Sequence, residues 1–189
     1  WNSRLMPGAK NRTLGLVGFG GIGTEVAKRA VPFGMKVIYF CRHPNPADDA
    51  AYGVQSVSME ELLKESDYVV AAVPLTDQTF HLFNEECIAQ MKAGSVLINI
   101  ARGPVVDEEA LAQALASGHL GGCAVDVFPK EPCTDSVLTR YSNALLTPHS
   151  ATSTAENSKA TNFAAANNLV NYLKKDIDAK YVVVQGTRY

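Results

Sequence analysis

Long apolar runs are missing from this sequence. No segment approaches the roughly 20 consecutive apolar residues that a membrane-spanning helix requires, and no basic-then-apolar leader opens the chain. An excess of one charge is missing too: 17 basic and 19 acidic side chains leave a net charge of -2. That composition argues against a phosphate-backbone footprint or a polybasic lipid patch, so neither nucleic acid nor a membrane is an expected partner. Cysteine is sparse. Cys41, Cys87, Cys123 and Cys133 form no C-x-x-C pair and no zinc-spaced cluster with histidine. They read as reduced thiols of a cytoplasmic protein, with no metal expected. An initiator methionine is lacking as well: the chain opens at Trp1, and a piece of a longer protein is expected.

What is present suffices for one sizeable core, with 47% hydrophobic residues in a chain of 189. There is no internal repeat. Apolar runs lie at 14–19, 37–40, 68–73, 96–100 and 123–128, with 145–146 as a short sixth. They are rich in Val and Ile and barely alternate, as strands buried on both faces do. Helix signals fall between them. Residues 22–33 have apolar positions at helical spacing and stop at Gly34. Ser58 with Glu61 caps 59–64, Asn84 caps 85–91, and Asp107 caps 108–117 before Gly118. Ser153 with Glu156 opens a long helix reaching about residue 175, and 181–185 reads as a stray strand. The alternation predicts an α/β fold: a doubly wound, Rossmann-like parallel sheet flanked by helices.

The turn after the first run carries chemistry. LGLVGFGGIG, from Leu14, places Gly18, Gly20 and Gly23 in G-x-G-x-x-G spacing, with Gly21 and Ile22 between them. Gly18 permits the tight strand-to-helix turn, Gly20 a close backbone approach to a pyrophosphate, and Gly23 close helix–strand packing. Phosphates are favoured at such a helix start. A carboxylate about 20 residues on usually holds the ribose of NAD. Here Cys41 and Arg42 stand at that strand end. NAD and NADP both remain open, with the balance towards NADP, because Arg42 is suited to a 2′-phosphate.

Three later stretches point further: NIARGPVVDEEAL from Asn99, AVDVFPKEP from Ala124 and LTPHSA from Leu146. Together with VPLT at 73–76 and the glycine turn, they resemble the D-isomer-specific 2-hydroxyacid dehydrogenases over about 13–151. The resemblance implies that Arg102 binds a substrate carboxylate, that His149 is the acid/base, and that Glu131 hydrogen-bonds to His149. It implies that Asp126 meets the nicotinamide carboxamide and that Val73, Pro74, Thr79 and Ala101 lie with the cofactor, Pro74 lining the adenosine. The chemistry fits independently. Reducing a 2-oxo acid needs a proton donor that titrates near neutrality and a planar cation for the carboxylate.

The resemblance also implies a second, substrate domain that is missing from this chain. On that reading residues 1–175 form the NAD(P)-binding domain and 176–189 a tail returning to the missing one. A homodimer acting on a small 2-oxo or 2-hydroxy acid is expected. His43, His81 and His119 read as surface or structural, and Phe163, Leu169, Val170 and Leu173 as core or interface. Glutamate at 131 argues against the related formate dehydrogenases. A corepressor-like protein that senses NAD(H) is the alternative from another class.

Overall fold

The computed structural model describes residues 8–176 and 178. Seven parallel strands form one sheet in the order β3-β2-β1-β4-β5-β6-β7. They are β1 (Thr13–Val17), β2 (Lys36–Phe40), β3 (Gln55–Ser56), β4 (Tyr68–Ala71), β5 (Val96–Asn99), β6 (Gly122–Val125) and β7 (Ala144–Leu146). The helices are α1 (Gly21–Ala30), α2 (Pro46–Tyr52), α3 (Met59–Glu65), α4 (Glu85–Ala89), α5 (Glu108–Ala116) and α6 (Ala155–Leu173). Strand order reverses between β1 and β4, so the loops after those two strands diverge and leave a crevice.

Side chains alternate across the strands and build two cores. Leu14, Leu16, Val37, Tyr39 and Val70 pack with Ala27 and Ala30 of α1 on one face. Val17, Ile38, Val69 and Leu97 face the other way, against Leu62 and Leu63 of α3, Ile88 of α4 and Leu111 of α5. Strands with both faces covered explain the unalternating apolar runs.

The expected caps at Ser58, Asn84 and Asp107 accept backbone N–H groups of Glu61, Cys87 and both Glu109 and Ala110. Gly34 and Gly118 adopt the positive φ expected of them. The apolar runs at 14–19, 68–73 and 123–128 overshoot their strands. β1, β4 and β6 end earlier, and the remaining apolar residues belong to loops. β3 and α2 escape the sequence reading. At two residues β3 is too short to show a period, yet α2 carries its own signals. Asn45 caps it, Pro46 starts it, two acids follow, and Gly53 ends it at φ 66.

The described chain divides into two compact units after His149. The second holds α6. Its cap is Thr154, whose hydroxyl accepts from Asn157 N at 3.1 Å, not Ser153 as expected. Ser153 donates its N–H back to Ser150 O in the preceding turn, which shifts the helix start by one residue. No residue of α6 is buried. Phe163, Leu169, Val170 and Leu173 are exposed, which removes the core half of the earlier reading. Residues 181–185 and Trp1 lie outside the described residues.

Candidate active site

Because all strands run the same way, the residues singled out above gather at the carboxyl edge of one sheet. The glycine turn leaves β1 with Gly18 at φ +103, and a Cβ there would stand 2.3 Å from Ala72 O. Gly18 N–H donates to Phe40 O at 2.9 Å, tying the turn to the end of β2. At Gly23 a Cβ would meet Gly18 O at 2.4 Å. Gly20 and Gly21 differ: no atom lies within 4 Å of where their Cβ would be. Protein packing does not require glycine at those two positions, so the bare backbone there is open to a ligand.

The start of α1 has no side-chain cap and no acid in its first turn. Each of the other α-helices described has both. The early N–H groups of α1, around Gly21, Ile22 and Gly23, are thus left for an anion, and the dipole favours one. These residues fit a dinucleotide's pyrophosphate.

A cleft of about 470 Å³ opens beside this turn, lined by Ile22, Ala72, Val73, Pro74, Leu75, Ile100, Ala101 and Arg102. Ile22 is exposed there, unusual for an isoleucine at a helix start. The loop after β4 is shaped by Thr79, whose hydroxyl donates to Pro74 O at 2.6 Å and accepts from Thr76 N at 2.8 Å. That loop is strapped to the one after β5, since His81 N–H donates to Pro104 O and Phe83 bridges Val106.

Arg102 follows β5 and is exposed, one guanidinium nitrogen donating to Ala101 O at 2.7 Å. Asn99, at the last position of β5 and only 1% exposed, sets the turn beneath it. Its Oδ1 accepts from Ala101 N and its Nδ2 donates to Arg102 O, each at 3.1 Å. Asp126 follows β6 and is buried, its Oδ1 accepting from Thr147 Oγ1 at 2.6 Å.

His149 follows β7 at φ 51, a left-handed conformation uncommon outside glycine. Its Nδ1 lies 2.7 Å from Glu131 Oε2, and Glu131 Oε1 accepts from Phe128 N at 2.9 Å. Both oxygens of Glu131 are thereby fixed. The hydrogen bond to His149 and that from Phe128 hold its carboxyl below the usual carboxylate range, and the charge of Arg102 adds to the effect. Arg102, Glu131 and His149 therefore share one electrostatic neighbourhood. Glu131 and His149 also border a cavity of about 570 Å³ walled largely by Phe128, Pro132, Cys133, Leu146 and Pro148.

At the end of β2, Cys41 is half-buried and Arg42 exposed. Asp49 of α2 accepts from Tyr39 OH at 2.8 Å and is thereby tethered to the side of β2. His81 lies 3.5 Å from Asp107 Oδ2, and His119 sits 3.0 Å from Ile88 O, structural settings for both. All four cysteines are free. Among the described residues no cluster suited to a metal occurs, and no helix is long and apolar enough to cross a membrane.

Sequence reasoning missed Asn99, Gly103 and Thr147. All three stand inside quoted motifs; Gly103 and Thr147 draw their meaning from partners elsewhere in the chain, whereas Asn99 bonds Ala101 and Arg102 within its own motif.

The sequence pattern described as "D-isomer specific 2-hydroxyacid dehydrogenase, NAD binding domain" matches residues 1–151. A glyoxylate reductase of Thermococcus litoralis is 42% identical over 175 residues, which are 93% of this chain and 53% of that protein. A hydroxypyruvate reductase of Thermotoga maritima is 44% identical over 82% of this chain and 52% of its own length. Among solved structures, D-lactate dehydrogenase from Aquifex aeolicus, complexed with NAD and lactic acid, superposes with a TM-score of 0.83. It is 33% identical, over 91% of this chain and 56% of that one. The chain thus spans about half the length of the relatives it matches. It belongs to the D-isomer specific 2-hydroxyacid dehydrogenase family, of which it carries the NAD-binding domain.

Proposed function

We propose that the protein containing this chain interconverts a small 2-oxo acid and its D-2-hydroxy acid, with His149 as acid/base, Glu131 as its anchor and Arg102 as the carboxylate binder. The observation that carries this reading is the 2.7 Å contact between His149 Nδ1 and Glu131 Oε2, within reach of the Arg102 charge. A histidine so held keeps Nδ1 as donor to the carboxylate, which leaves Nε2 to give or take the substrate proton.

The nicotinamide, when bound, supplies or accepts the hydride at the substrate's C2. In the reducing direction Nε2 gives its proton to the carbonyl oxygen, completing the hydroxyl. Arg102 contributes a permanent charge in a planar fork that pairs with the carboxylate and polarises the adjacent carbonyl. Asp126 orients the carboxamide end of the cofactor. Gly18, Gly20, Gly21, Ile22 and Gly23 hold the phosphates, while Val73, Pro74, Thr79 and Ala101 line the rest of its path. We take residues 1–175 as the NAD(P)-binding domain and 176–189 as a tail towards a substrate domain.

For the cofactor we favour NADP(H) over NAD(H). Support comes from Cys41 and Arg42 at the end of β2 and from the tethering of Asp49 to Tyr39. The apolar residues exposed on α6 support a homodimer, and the free thiols fit the cytoplasm. The corepressor-like alternative gains no support, because the relatives named above are reductases and a dehydrogenase.

The test is turnover of glyoxylate and hydroxypyruvate by the full-length protein with NADH and with NADPH. His149→Ala should lower kcat by roughly 10²–10⁴-fold, the usual worth of a positioned acid/base. Unchanged turnover would remove His149 from the mechanism. The chain of residues 1–189 by itself should bind cofactor and turn over poorly.

A further inference from the structure

Asp126 and His149 come from different strands, yet one side chain ties them together. Thr147 begins just past β7 and makes three contacts. Its N–H donates to Val125 O at 3.0 Å, extending the β6–β7 ladder by one residue. Its hydroxyl donates to Asp126 Oδ1 at 2.6 Å. Its carbonyl accepts from His149 N at 3.0 Å, closing a tight turn over Pro148. Asp126 N–H in turn donates to Asn99 O at 3.1 Å, and Asn99 shapes the Arg102 turn. The ends of β5, β6 and β7 are thus joined by one run of hydrogen bonds.

We infer that Thr147 is a positioning residue: its hydroxyl fixes the carboxylate of Asp126 towards the nicotinamide end of the cofactor and couples that placement to the seat of His149. The inference rests on the reading of Asp126 as a cofactor contact. A carboxylate on a rotatable side chain needs a donor to hold one orientation, and the 2.6 Å contact is a short, charge-assisted one. Serine could replace this function, because the hydroxyl is what matters. Valine could not, although it matches threonine in shape.

The experiment uses the full-length protein and four variants: Thr147→Val, Thr147→Ser, Asp126→Asn and the Val/Asn double variant. NADH and NADPH affinities are measured by fluorescence titration, turnover and melting in parallel. Thr147→Val should weaken cofactor binding roughly tenfold, the scale of a lost hydrogen bond to a charged group, and lower kcat as well. Thr147→Ser should restore both. In the Asp126→Asn background Thr147→Val should cost less than in the wild type, since the amide oxygen that remains accepts a neutral bond and no longer a charge-assisted one. A Thr147→Val protein that melts earlier yet keeps wild-type affinity and kcat would reduce Thr147 to a structural role and overturn the inference. So would full additivity in the double variant. If Asp126→Asn itself leaves affinity and turnover unchanged, the reading of Asp126 fails, and the role of Thr147 fails with it.

Discussion

Gly103 lies directly against the peptide that joins Phe128 to Pro129. A Cβ on Gly103 would stand 2.0 Å from the Phe128 carbonyl carbon and 2.3 Å from Pro129 N. The loop bearing Arg102 and the loop bearing Glu131 therefore touch backbone to backbone. Gly103→Ala must push them apart, and no flexible side chain is present to yield. We expect a loss of about 1–3 kcal/mol in stability, the usual cost of overpacking. Turnover of the full-length protein should fall by more than the melting shift alone explains. Thermal melting and kcat measured side by side check this.

Asn99→Ala should act mainly on the substrate. The variant removes the buried amide that pins Ala101 N and Arg102 O. Arg102 would keep its charge but lose its placement. KM for the 2-oxo acid should rise roughly tenfold, on the scale of hydrogen bonds lost at a charged site, with a smaller change in cofactor affinity. Steady-state kinetics with each substrate varied in turn separates the two.

The Glu131–His149 contact has a defined acid limit. The carboxyl of Glu131 is held below its ordinary range, chiefly by the bond to His149. It therefore stays ionised to lower pH than an unpaired carboxylate, and the contact is lost as pH falls through that lowered value. Glu131→Gln removes the charge at every pH. Its kcat should fall roughly 10- to 10²-fold near neutrality, the scale of one lost charge-assisted hydrogen bond. pH–rate profiles of both proteins measure that deficit.

Arg42→Ala should weaken NADPH by roughly 10- to 10²-fold, the scale of a charged pair with phosphate, and leave NADH nearly unchanged. Equal effects on both cofactors would mean that Arg42 does not meet the 2′-phosphate. Titration with each dinucleotide decides.

Asp67 offers a contrast at the opposite edge of the sheet. It accepts from Thr13 N at 2.9 Å, Lys92 Nζ at 2.8 Å and Arg12 Nη1 at 3.1 Å, so one carboxylate bonds the entries to β1 and β5 from its place before β4. Burial opposes its ionisation, but these donors prevail and hold its pKa below the ordinary 3.8. A lowered folded value adds stability above the unfolded pKa, and that stability is lost as pH falls through the folded one. Asp67→Asn should cost about 1–3 kcal/mol near neutrality and weaken the fall of melting temperature on acidification. The carboxyl-edge chemistry should survive.

Much of this was legible in the sequence because the fold announces itself through local rules. The caps at Ser58, Asn84 and Asp107 are set by neighbours within three residues. The glycine turn could be read because its spacing records a steric requirement. Arg102, Glu131 and His149 became visible through the family resemblance, since each alone looks like an ordinary loop residue. Much of what stayed hidden depends on contacts distant in the chain, while α2 and Asn99 were passed over although their partners are local. Thr147 meets Asp126 across 21 positions, and Gly103 meets a loop whose approach no local pattern encodes. The strand ends were misplaced because the same apolar residues that continue a strand can line a cleft, as Val73 does. The Thr154 cap was missed by one residue, since Ser153 offers the same hydroxyl and only backbone geometry distinguishes them.

The single direction of all seven strands has a practical corollary for engineering this scaffold. Grafts, tags or split points belong in the connections that enter the strands, for example around Gly94 and Asn143, away from the loops that leave them. Additions there would leave the hydrogen bonds of Asn99, Asp126, Thr147 and His149 in place. The rim that carries Asp67 is then where toughness can be tuned, and the far rim is where selectivity can be rewritten.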